Sequence, residues 1–358
     1  MFKKTLYLLL VLAIAASLFA CTTETPVAEK AAQAEPESAE EEAAEEVVAE
    51  EVVTVASGDV FTVSLGWQEN ESGQRFTQGY DAAFKELGWE YLISNANYDP
   101  KLQSEQIDAF IKMKPKAMFL TCSDPAGIRQ AVNRAIDEGI PVFTADCYIA
   151  GTLSVSQIAS NNYGMGVYTM SYIMEALGGK GKVGMIGLPN NETWDLRELG
   201  ARYVLRNYPD IEIVYWPYDA TGAVTPRQAI ENMLTANADM DAIWCSWDGA
   251  AMEGALAAEE AGRPEIIFTG IDGGERAFEQ IQMGGPFKLT MAQSIYWMSY
   301  MDVMYAKEYF AGNTAPRFVV SPVYAVDKAV LDAVSAGLDA NEYDIPGKEV
   351  DLGWKPAL

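Results

Sequence analysis

Short apolar runs, each followed by a polar turn and a longer amphipathic stretch, repeat along most of the chain. The apolar runs predict strands at Phe61–Leu65, Glu90–Ile93, Ala117–Thr121, Pro141–Ala145, Val155–Ile158, Lys182–Ile186, Glu212–Trp216, Ala242–Cys245 and Ile266–Gly270. The amphipathic stretches predict helices at Gln74–Leu87, Leu102–Met113, Ala126–Glu138, Tyr163–Leu177, Leu196–Asn207, Pro226–Ala236, Gly249–Ala261 and Glu275–Met283. Strands that alternate with helices of this length are typical of parallel α/β sheets with right-handed crossovers.

Polar and aromatic residues follow several of the predicted strands. Ligands of parallel sheets bind beyond the carboxyl ends of the strands, so these segments are the first candidates for a site. The segments are Gly66–Asn70, Thr121–Asp124, Ala145–Cys147, Cys245–Asp248 and Gly270–Gly273. Three tryptophans, Trp67, Trp194 and Trp247, lie at or near these ends, where either stacking on a ligand or packing between domains accounts for them.

Two of the aspartates at these ends are predicted to cap helices. Asp124 and Asp248 each stand directly before a predicted helix, a position that favours an N-cap over the alternative, a contact with a ligand. Asp146 is followed by a loop instead, which favours contact with a ligand. Asp272 precedes two glycines and serves equally well as a turn former or a ligand contact.

The first residues predict export. Lys3 and Lys4 precede an apolar run, Leu6–Ala16, which is too short to span a bilayer, so residues 1–21 are predicted to be a signal peptide. The run ends in Leu18-Phe19-Ala20-Cys21. This ending resembles a bacterial lipobox, which implies cleavage before Cys21, lipidation of its thiol and a membrane anchor. The protein is then held on the outer side of the cytoplasmic membrane, in the periplasm or at the cell surface.

Residues 22–57 are predicted to be a disordered tether. Thr22–Glu51 carries eleven Glu against one Lys and has no aromatic residue. Such a segment repels itself and has too little apolar surface to form a core. Its expected role is to hold the folded body away from the membrane.

Charge and composition exclude several classes of function. The formal net charge is -26, which disfavours nucleic-acid binding because phosphates would be repelled. The chain contains no histidine, which removes Ser-His-Asp catalysis and His-liganded zinc. No cofactor or metal is predicted.

The cysteines beyond Cys21 are too few and too scattered for a disulfide scaffold. Cys122 and Cys147 end strands that are expected to be neighbours, so a disulfide between them is one outcome. The demanding geometry of a cross-strand bond favours two free thiols instead.

The order and spacing of several segments resemble the periplasmic sugar-binding proteins of the ribose-binding type. The segments are Gly79–Gly88, Ser156–Asn162, Asn232–Ala236 and Thr269–Gly273, and the resemblance covers about residues 59–321. It implies two similar doubly wound parallel-sheet domains joined by a three-crossing hinge, the type I periplasmic-binding-protein fold. The domains implied are residues 58–160 plus 292–321 and residues 161–291 plus 322–358.

The same resemblance implies a set of ligand contacts. Asn70 matches a polar contact after the first strand, Asp146 and Asp272 match carboxylates, Arg197 matches an arginine of the second domain, and Gln293 matches an amide near the third crossing. A carboxylate can accept from two sugar hydroxyls, and an arginine can donate to oxygen atoms. The indole faces of Trp67, Trp194 and Trp247 are expected to cover the apolar side of a sugar ring. A surface position remains the alternative for Arg197.

The chain also departs from that family. Cys147 stands where the family often has Arg, Trp247 where it often has Asn, and Ser72 and Gly73 where it often has aromatic residues. The stretch Glu71–Arg75 resembles the first loop of the galactofuranose-binding branch, which implies ligand contacts by Glu71 and Arg75.

The function implied is that of a monomeric, non-enzymatic receptor. It would capture a monosaccharide or related polyol and deliver it to the permease of an ABC importer, with no nucleic-acid partner. A sensor that reports to a membrane kinase or chemoreceptor is one alternative. A glycosidase is another, and it would need two carboxylates facing one bond.

Overall fold

The computed structural model of the protein describes residues 60–189, 191–218 and 223–334. The predicted signal peptide, Cys21 and the predicted tether, residues 22–57, lie outside these ranges. Within the described residues, no helix combines the length and the apolar character needed to cross a membrane.

The strands are short and most of them are buried along their whole length. In chain order they are β1 (Phe61–Leu65), β2 (Tyr91–Asn95), β3 (Met118–Thr121), β4 (Val142–Ala145), β5 (Ser156–Ser160), β6 (Gly181–Gly187), β7 (Ile211–Pro217), β8 (Ala242–Cys245), β9 (Ile267–Asp272), β10 (Phe287–Gln293), β11 (Phe318–Ser321) and β12 (Val323–Asp327). Continuous apolar strands of this kind are expected where both faces of a parallel sheet are covered.

The helices separate these strands. They are α1 (Glu71–Leu87), α2 (Pro100–Met113), α3 (Pro125–Asp137), α4 (Asn162–Leu177), α5 (Glu192–Leu205), α6 (Pro226–Ala236), α7 (Asp248–Glu260), α8 (Glu275–Met283), α9 (Ile295–Phe310) and α10 (Lys328–Val334). Every strand and helix predicted from the sequence is present, with ends that differ by a few residues. The elements β10, α9, β11, β12 and α10 were not predicted.

The strands form two sheets of six with matching order. The first is β11-β5-β4-β3-β1-β2 and the second is β12-β10-β9-β8-β6-β7. All neighbours are parallel except β12, which pairs antiparallel with β10. In each sheet the first strand lies between the second and the third, so the order reverses there, and ligands of doubly wound sheets bind at such a reversal.

Buried apolar residues cover both faces of each sheet. In the first sheet, α1 and α9 pack together on one face and α2 and α3 on the other. In the second sheet, α4 and α5 pack together on one face and α6 and α7 on the other. This arrangement of two doubly wound α/β sheets confirms the predicted fold class.

The chain passes between the two sheets three times. It leaves the first sheet after β5, returns to it after β10, and leaves it again between β11 and β12, where Pro322 is the only linking residue. Hydrogen bonds tie these passages together: the hydroxyl groups of Ser160 and Ser321 lie 2.9 Å apart, and Ser294 Oγ donates to Pro322 O at 3.0 Å.

Candidate ligand-binding site

A small cavity lies where the carboxyl ends of both sheets meet. Its volume is about 190 Å³. Drug-sized ligands need pockets of roughly 300–1,000 Å³, so this cavity suits a smaller molecule. It is lined by Trp67, Asn70, Ser72, Tyr98, Cys122, Ser123, Asp146, Leu188, Asn191, Thr193, Trp194, Arg197, Tyr218, Pro226, Trp247, Asp272, Gln293 and Ile295.

A close approach of two strand ends shapes the first-sheet side of the cavity. Gly66 follows β1, and a Cβ atom at this position would lie 2.5 Å from Ser123 N. Its own N–H donates to Thr121 Oγ1 at 2.9 Å. Only glycine fits here, and the contact brings Trp67 and Ser123 to the same cavity.

Aromatic rings line the cavity from both sheets. On the first-sheet side, Trp67 stacks on Tyr98 with ring centroids 5.6 Å apart and an interplanar angle of 7°. On the second-sheet side, Trp247 packs against Tyr218 at 5.1 Å and against Trp194 at 6.1 Å. Such rings offer flat apolar faces that match the C–H groups of a sugar ring.

Arg197 is the cation of the cavity and is only 1% exposed. It lies in the first turn of α5, from which Nε donates to Asn162 Oδ1 at 2.8 Å and Nη1 donates to Ser246 O at 2.8 Å. Nη1 also bonds Asp272 Oδ1 at 3.1 Å. Buried charges are paired in this way because an isolated one is very costly. The surface alternative for Arg197 is therefore wrong.

Asp272 receives two hydrogen bonds. Its Oδ1 accepts from Arg197 and, at 2.8 Å, from Gln293 Nε2. Burial raises the pKa of the Asp272 carboxyl, and the charge of Arg197 partly offsets the rise. Asp272 is the last residue of β9 and has a positive φ of 138°, which is uncommon for residues other than glycine.

Asp146 is the second carboxylate of the cavity, and it is bound differently. The residue is 7% exposed and its Oδ1 accepts no hydrogen bond from the described part of the chain. Burial raises the pKa of Asp146 to about 7, Asp272 adds to the rise, and Arg197 opposes it. Hydrogen bonds from ligand hydroxyl groups would stabilise the ionised form of this carboxyl, because they are accepted by its charged oxygens.

Two more polar atoms of the cavity residues also lack a hydrogen-bond partner within the described part of the chain. Trp67 Nε1 and Gln293 Oε1 are buried and have no hydrogen-bond partner among the described residues. Buried polar atoms are nearly always satisfied in native proteins, so each one needs an explanation. Together with Asp146 they offer one donor and two acceptors to a small polar molecule.

The structure brings eight of the ten predicted contact residues to this one cavity: Trp67, Asn70, Asp146, Trp194, Arg197, Trp247, Asp272 and Gln293. The amide of Asn70 already has two partners, because its Oδ1 caps α1 by accepting from Gly73 N at 2.9 Å and its Nδ2 donates to Tyr98 OH at 2.9 Å. Asn70 therefore holds the wall of the cavity in place.

Glu71 and Arg75 do not line the cavity. They lie on α1 beside an adjoining cleft, where they contact the backbone of the second-sheet side. Glu71 Oε1 accepts from Glu275 N at 2.7 Å, and Arg75 Nη1 donates to Gly273 O at 2.5 Å. The first turns of α1 direct both side chains to the other domain, so the structure does not support their predicted contact with a ligand.

The predicted cap at Asp248 is wrong. Trp247 occupies the N-cap position of α7, and Asp248 lies buried in the first turn. Its carboxylate accepts from Gly273 N at 2.7 Å and from Thr290 Oγ1 at 2.7 and 2.9 Å, which ties the turn after β8 to β9 and β10. Burial raises the pKa of this carboxyl. Asp124 does cap α3, accepting from Ala126 N at 3.0 Å.

The favoured reading of two free thiols is also wrong. Cys122 and Cys147 form a disulfide, with their Cα atoms 6.1 Å apart. The pairing of Thr121 with Ala145 across β3 and β4 brings the residues that follow close together. Cys245 is a free, buried cysteine.

The cavity is also lined by four residues that were not among the predicted contacts: Tyr98, Tyr218, Ser123 and Asn191. Tyr98 follows the end of β2 and Tyr218 directly follows β7, so the strand-end rule applied to these two strands would have found them. Asn191 caps α5 and donates from Nδ2 to Ser123 O at 2.9 Å, a contact between the two domains that no sequence pattern signals.

Within residues 60–189, 191–218 and 223–334, no cluster of acidic or cysteine side chains is arranged to hold a metal ion.

Two curated relatives of this chain are import binding proteins. It is 27% identical over 233 residues to the D-apiose import binding protein of Actinobacillus succinogenes, a match that covers 64% of this chain and 75% of that protein. It is 25% identical over 252 residues to the ribose import binding protein of Bacillus subtilis, covering 69% of this chain and 80% of that protein.

Solved structures share the fold. An ABC transporter solute-binding protein of Agrobacterium vitis with bound allitol superposes with a TM-score of 0.72 at 22% identity, covering 79% of this chain and 100% of that chain. The model of the periplasmic binding protein domain matches residues 61–314. The chain therefore belongs to the periplasmic binding protein family, and the resemblance to its ribose-binding type is confirmed.

Proposed function

We propose that this protein captures a monosaccharide or a related polyol in the cavity between its two domains and delivers it to the permease of an ABC importer. The relatives support the class of ligand and the importer, since they are named for import of D-apiose and ribose. One observation carries the proposal to this chain. A cavity of about 190 Å³ combines aromatic walls from both domains with buried polar atoms that lack partners within the described residues.

The proposed ligand contacts divide by chemistry. Asp146 and Gln293 supply acceptors to ligand hydroxyls, and Trp67 supplies a donor. Trp194 and Trp247 cover the apolar face of the ring together with Trp67. The Arg197–Asp272 ion pair forms a fixed polar surface of the cavity, and this surface orients the ligand. The arrangement serves binding, and we propose no catalytic step.

A thermal-shift panel tests the proposal on the purified full chain. D-Ribose, D-apiose, xylitol, allitol and D-tagatose are the probes. A ligand at 100 times its dissociation constant stabilises the protein by about 2.7 kcal/mol, so the binding sugar raises the melting temperature, and the rise grows with the logarithm of the sugar concentration. The Asp272→Asn variant is the control, because it breaks the ion pair with Arg197 and should abolish the shift. A melting temperature that responds to none of the five would contradict the proposal.

The domain bounds are proposed as residues 58–160 plus 292–321 and residues 161–291 plus 322–358. Membership of the sheets supports this division to within two residues, because β1 to β5 and β11 share one sheet and β6 to β10 and β12 share the other. The last two residues of β10, Ala292 and Gln293, fall on the first-domain side of the bound. Limited proteolysis tests it: cuts should fall at the three passages between the sheets before they fall inside either sheet.

The anchor is proposed from the sequence, since Cys21 lies outside the described residues. Lipidation of Cys21 would hold the monomeric receptor on the outer side of the cytoplasmic membrane, with residues 22–57 as its tether. Cys21→Ala should move the protein from the membrane fraction to the soluble fraction or block its processing. Cys245→Ala is the matched control. Unchanged fractionation of the Cys21 variant would remove the anchor.

A further inference from the structure

The Cys122–Cys147 disulfide lies at the binding cavity itself. It joins the residue directly after β3 to the second residue after β4, at the carboxyl ends where ligands bind. Cys122 lines the cavity together with its neighbour Ser123, and Asp146, the neighbour of Cys147, lines it as well. Each half of the bond is thus one residue away from a group that faces the site.

The Asp146 carboxylate depends on its backbone for its position. Its Oδ1 accepts no hydrogen bond from the described residues, and the nearby Arg197 is bonded to Asp272, Asn162 and Ser246. The backbone of Asp146 is left-handed, with φ of 62°. Aspartate tolerates this conformation but does not prefer it, so the neighbouring chain must hold it.

Two links are made by Cys147, the residue directly after Asp146. One is the disulfide, and the other is a hydrogen bond of 2.8 Å from Thr144 Oγ1 to Cys147 O. The hydrogen bond spans only the local turn, whereas the disulfide ties that turn to the end of the neighbouring strand β3. Further along the same loop, Tyr148 OH donates to Val319 O and Ile149 N donates to Gln157 Oε1, both at 2.7 Å.

The other end of the disulfide reaches a contact between the domains. Ser123 N and Oγ donate to Gln103 Oε1 at 2.9 and 2.7 Å, which fixes the Ser123 segment. Ser123 O accepts from Asn191 Nδ2 of the second domain at 2.9 Å. One covalent bond therefore connects a group facing the ligand with a group that touches the opposite domain.

We propose that the Cys122–Cys147 disulfide is a positioning element of the binding site. It holds the Asp146 carboxylate toward the ligand and the Ser123 carbonyl toward Asn191, so that ligand affinity depends on the bond. The ligand part of this inference rests on the proposed function.

A double-mutant cycle tests the positioning. Cys122→Ser/Cys147→Ser, Asp146→Asn and the triple variant are compared with wild type for binding of D-ribose, D-apiose and xylitol by calorimetry. Loss of the disulfide should weaken binding of the preferred sugar tenfold or more. Asp146→Asn should then add little further loss, because residues that act as a unit are not additive. Cys245→Ala is the matched control, and its affinity should equal that of wild type. Additive losses, or unchanged affinity without the disulfide, would overturn the proposal.

A measurement without ligand separates this proposal from the proposed function. The titration of the Asp146 carboxyl is followed by ¹³C NMR, with its signal assigned by its absence in Asp146→Asn. In wild type, burial raises the pKa of Asp146 to about 7, with Asp272 adding and Arg197 opposing. Without the disulfide the carboxyl should reach water and titrate in its ordinary range. An unchanged titration contradicts the positioning role even if no sugar binds.

Two further checks keep the test decisive. If the serine variants do not fold, wild type is reduced with tris(2-carboxyethyl)phosphine, which takes oxygen from water to become a phosphine oxide and leaves two thiols. The same NMR titration is then repeated. Labelling of both cysteines by a maleimide in exported, unreduced protein would show that the bond is absent and would overturn the inference.

Discussion

At the scale of single residues, the two carboxylates of the cavity differ in how their charges are balanced. Asp272 bonds directly to Arg197, whereas Asp146 has Arg197 nearby and no hydrogen bond to its Oδ1 within the described residues. The positive charge of Arg197 is thus mainly committed to Asp272. Asp146 is the group whose interactions change most when a hydroxyl-bearing ligand arrives.

Asp146→Asn should weaken ligand binding by roughly tenfold to a hundredfold. Hydrogen bonds to a charged acceptor contribute about 1.5–3 kcal/mol, and each 1.4 kcal/mol is about a factor of ten in affinity. The change conserves the shape of the side chain, so near pH 4, where the folded protein holds the Asp146 proton, the melting temperature without ligand should change little. Calorimetric titration with the sugar found in the thermal panel measures the effect. Asp108→Asn, which removes an exposed ion pair with Arg134, is the control and should leave affinity intact. Equal affinities of both variants would dismiss Asp146 as a contact.

The raised pKa of Asp146 predicts how stability varies with pH. The folded protein holds this proton up to about pH 7, while the unfolded chain releases it near the ordinary aspartate pKa of 3.8. The folded state therefore binds more protons between these values, and its stability falls as pH rises through that window. Denaturant unfolding at several pH values should show a shallower fall for Asp146→Asn than for wild type. Identical slopes would show that Asp146 is ionised in the folded protein.

The residues that sequence reasoning missed have two causes. Tyr98 and Tyr218 follow the ends of β2 and β7, so the strand-end rule could have found them, whereas Asn191 contacts Ser123 of the other domain. Local periodicity carries no information on a contact between domains. The disulfide was misjudged for a related reason, because the left-handed turn at Asp146 brings Cys147 back toward Cys122 and no pattern of residue types predicts that turn.

At the scale of secondary-structure elements, α8 obtains its N-terminal cap from the other domain. Its N-cap residue, Gly274, has no side chain to offer, and Glu71 of α1 accepts the hydrogen bond of Glu275 N. Arg75, one helical turn after Glu71, donates to Gly273 O just before α8. These two contacts bind α1 and α8 to each other only while the domains are together.

Glu71→Ala should speed ligand dissociation several-fold. Losing a charged N-cap costs about 1 kcal/mol, and here that cost falls on the closed arrangement alone. Stopped-flow tryptophan fluorescence measures the dissociation rate. Glu279→Ala changes an exposed glutamate of α8, the helix that Glu71 caps, and this variant should release the ligand at the wild-type rate. A wild-type rate in the Glu71 variant would show that the cap does not stabilise closure.

The elements that the sequence did not reveal are those whose environment is tertiary. Helix α9 is apolar around much of its circumference because it packs against α1 and against β4 and β5, which hides its helical period. Strand β12 runs antiparallel because it enters the second sheet at its carboxyl edge, directly after Pro322, with Val323 opposite the last residue of β10. The fold class could be predicted from the strands and helices before residue 284, because an apolar run followed by a polar turn and an amphipathic stretch repeats along that part of the chain.

At the scale of the whole molecule, closure around the ligand should be visible in solution. Two domains that share a cavity and three passages are expected to swing together when ligand binds. Small-angle scattering of the full chain should show a smaller radius of gyration with the bound sugar than without it. A panel sugar that gives no thermal shift is the control and should leave the profile unchanged. Equal profiles with and without the binding sugar would argue against the swing.

The one-residue link at Pro322 limits the kinds of motion open to the molecule. A single residue between β11 and β12 leaves no slack for sliding one domain past the other, and the proline ring holds its own φ nearly constant. The two domains can therefore rotate about a hinge at the passages, but they cannot slide along one another. In such a rotation, atoms near the three passages are displaced least and atoms at the opposite edge of the domains are displaced most. The displacement during opening should grow in proportion to the distance from Pro322, so the ligand should enter and leave at the edge opposite the passages.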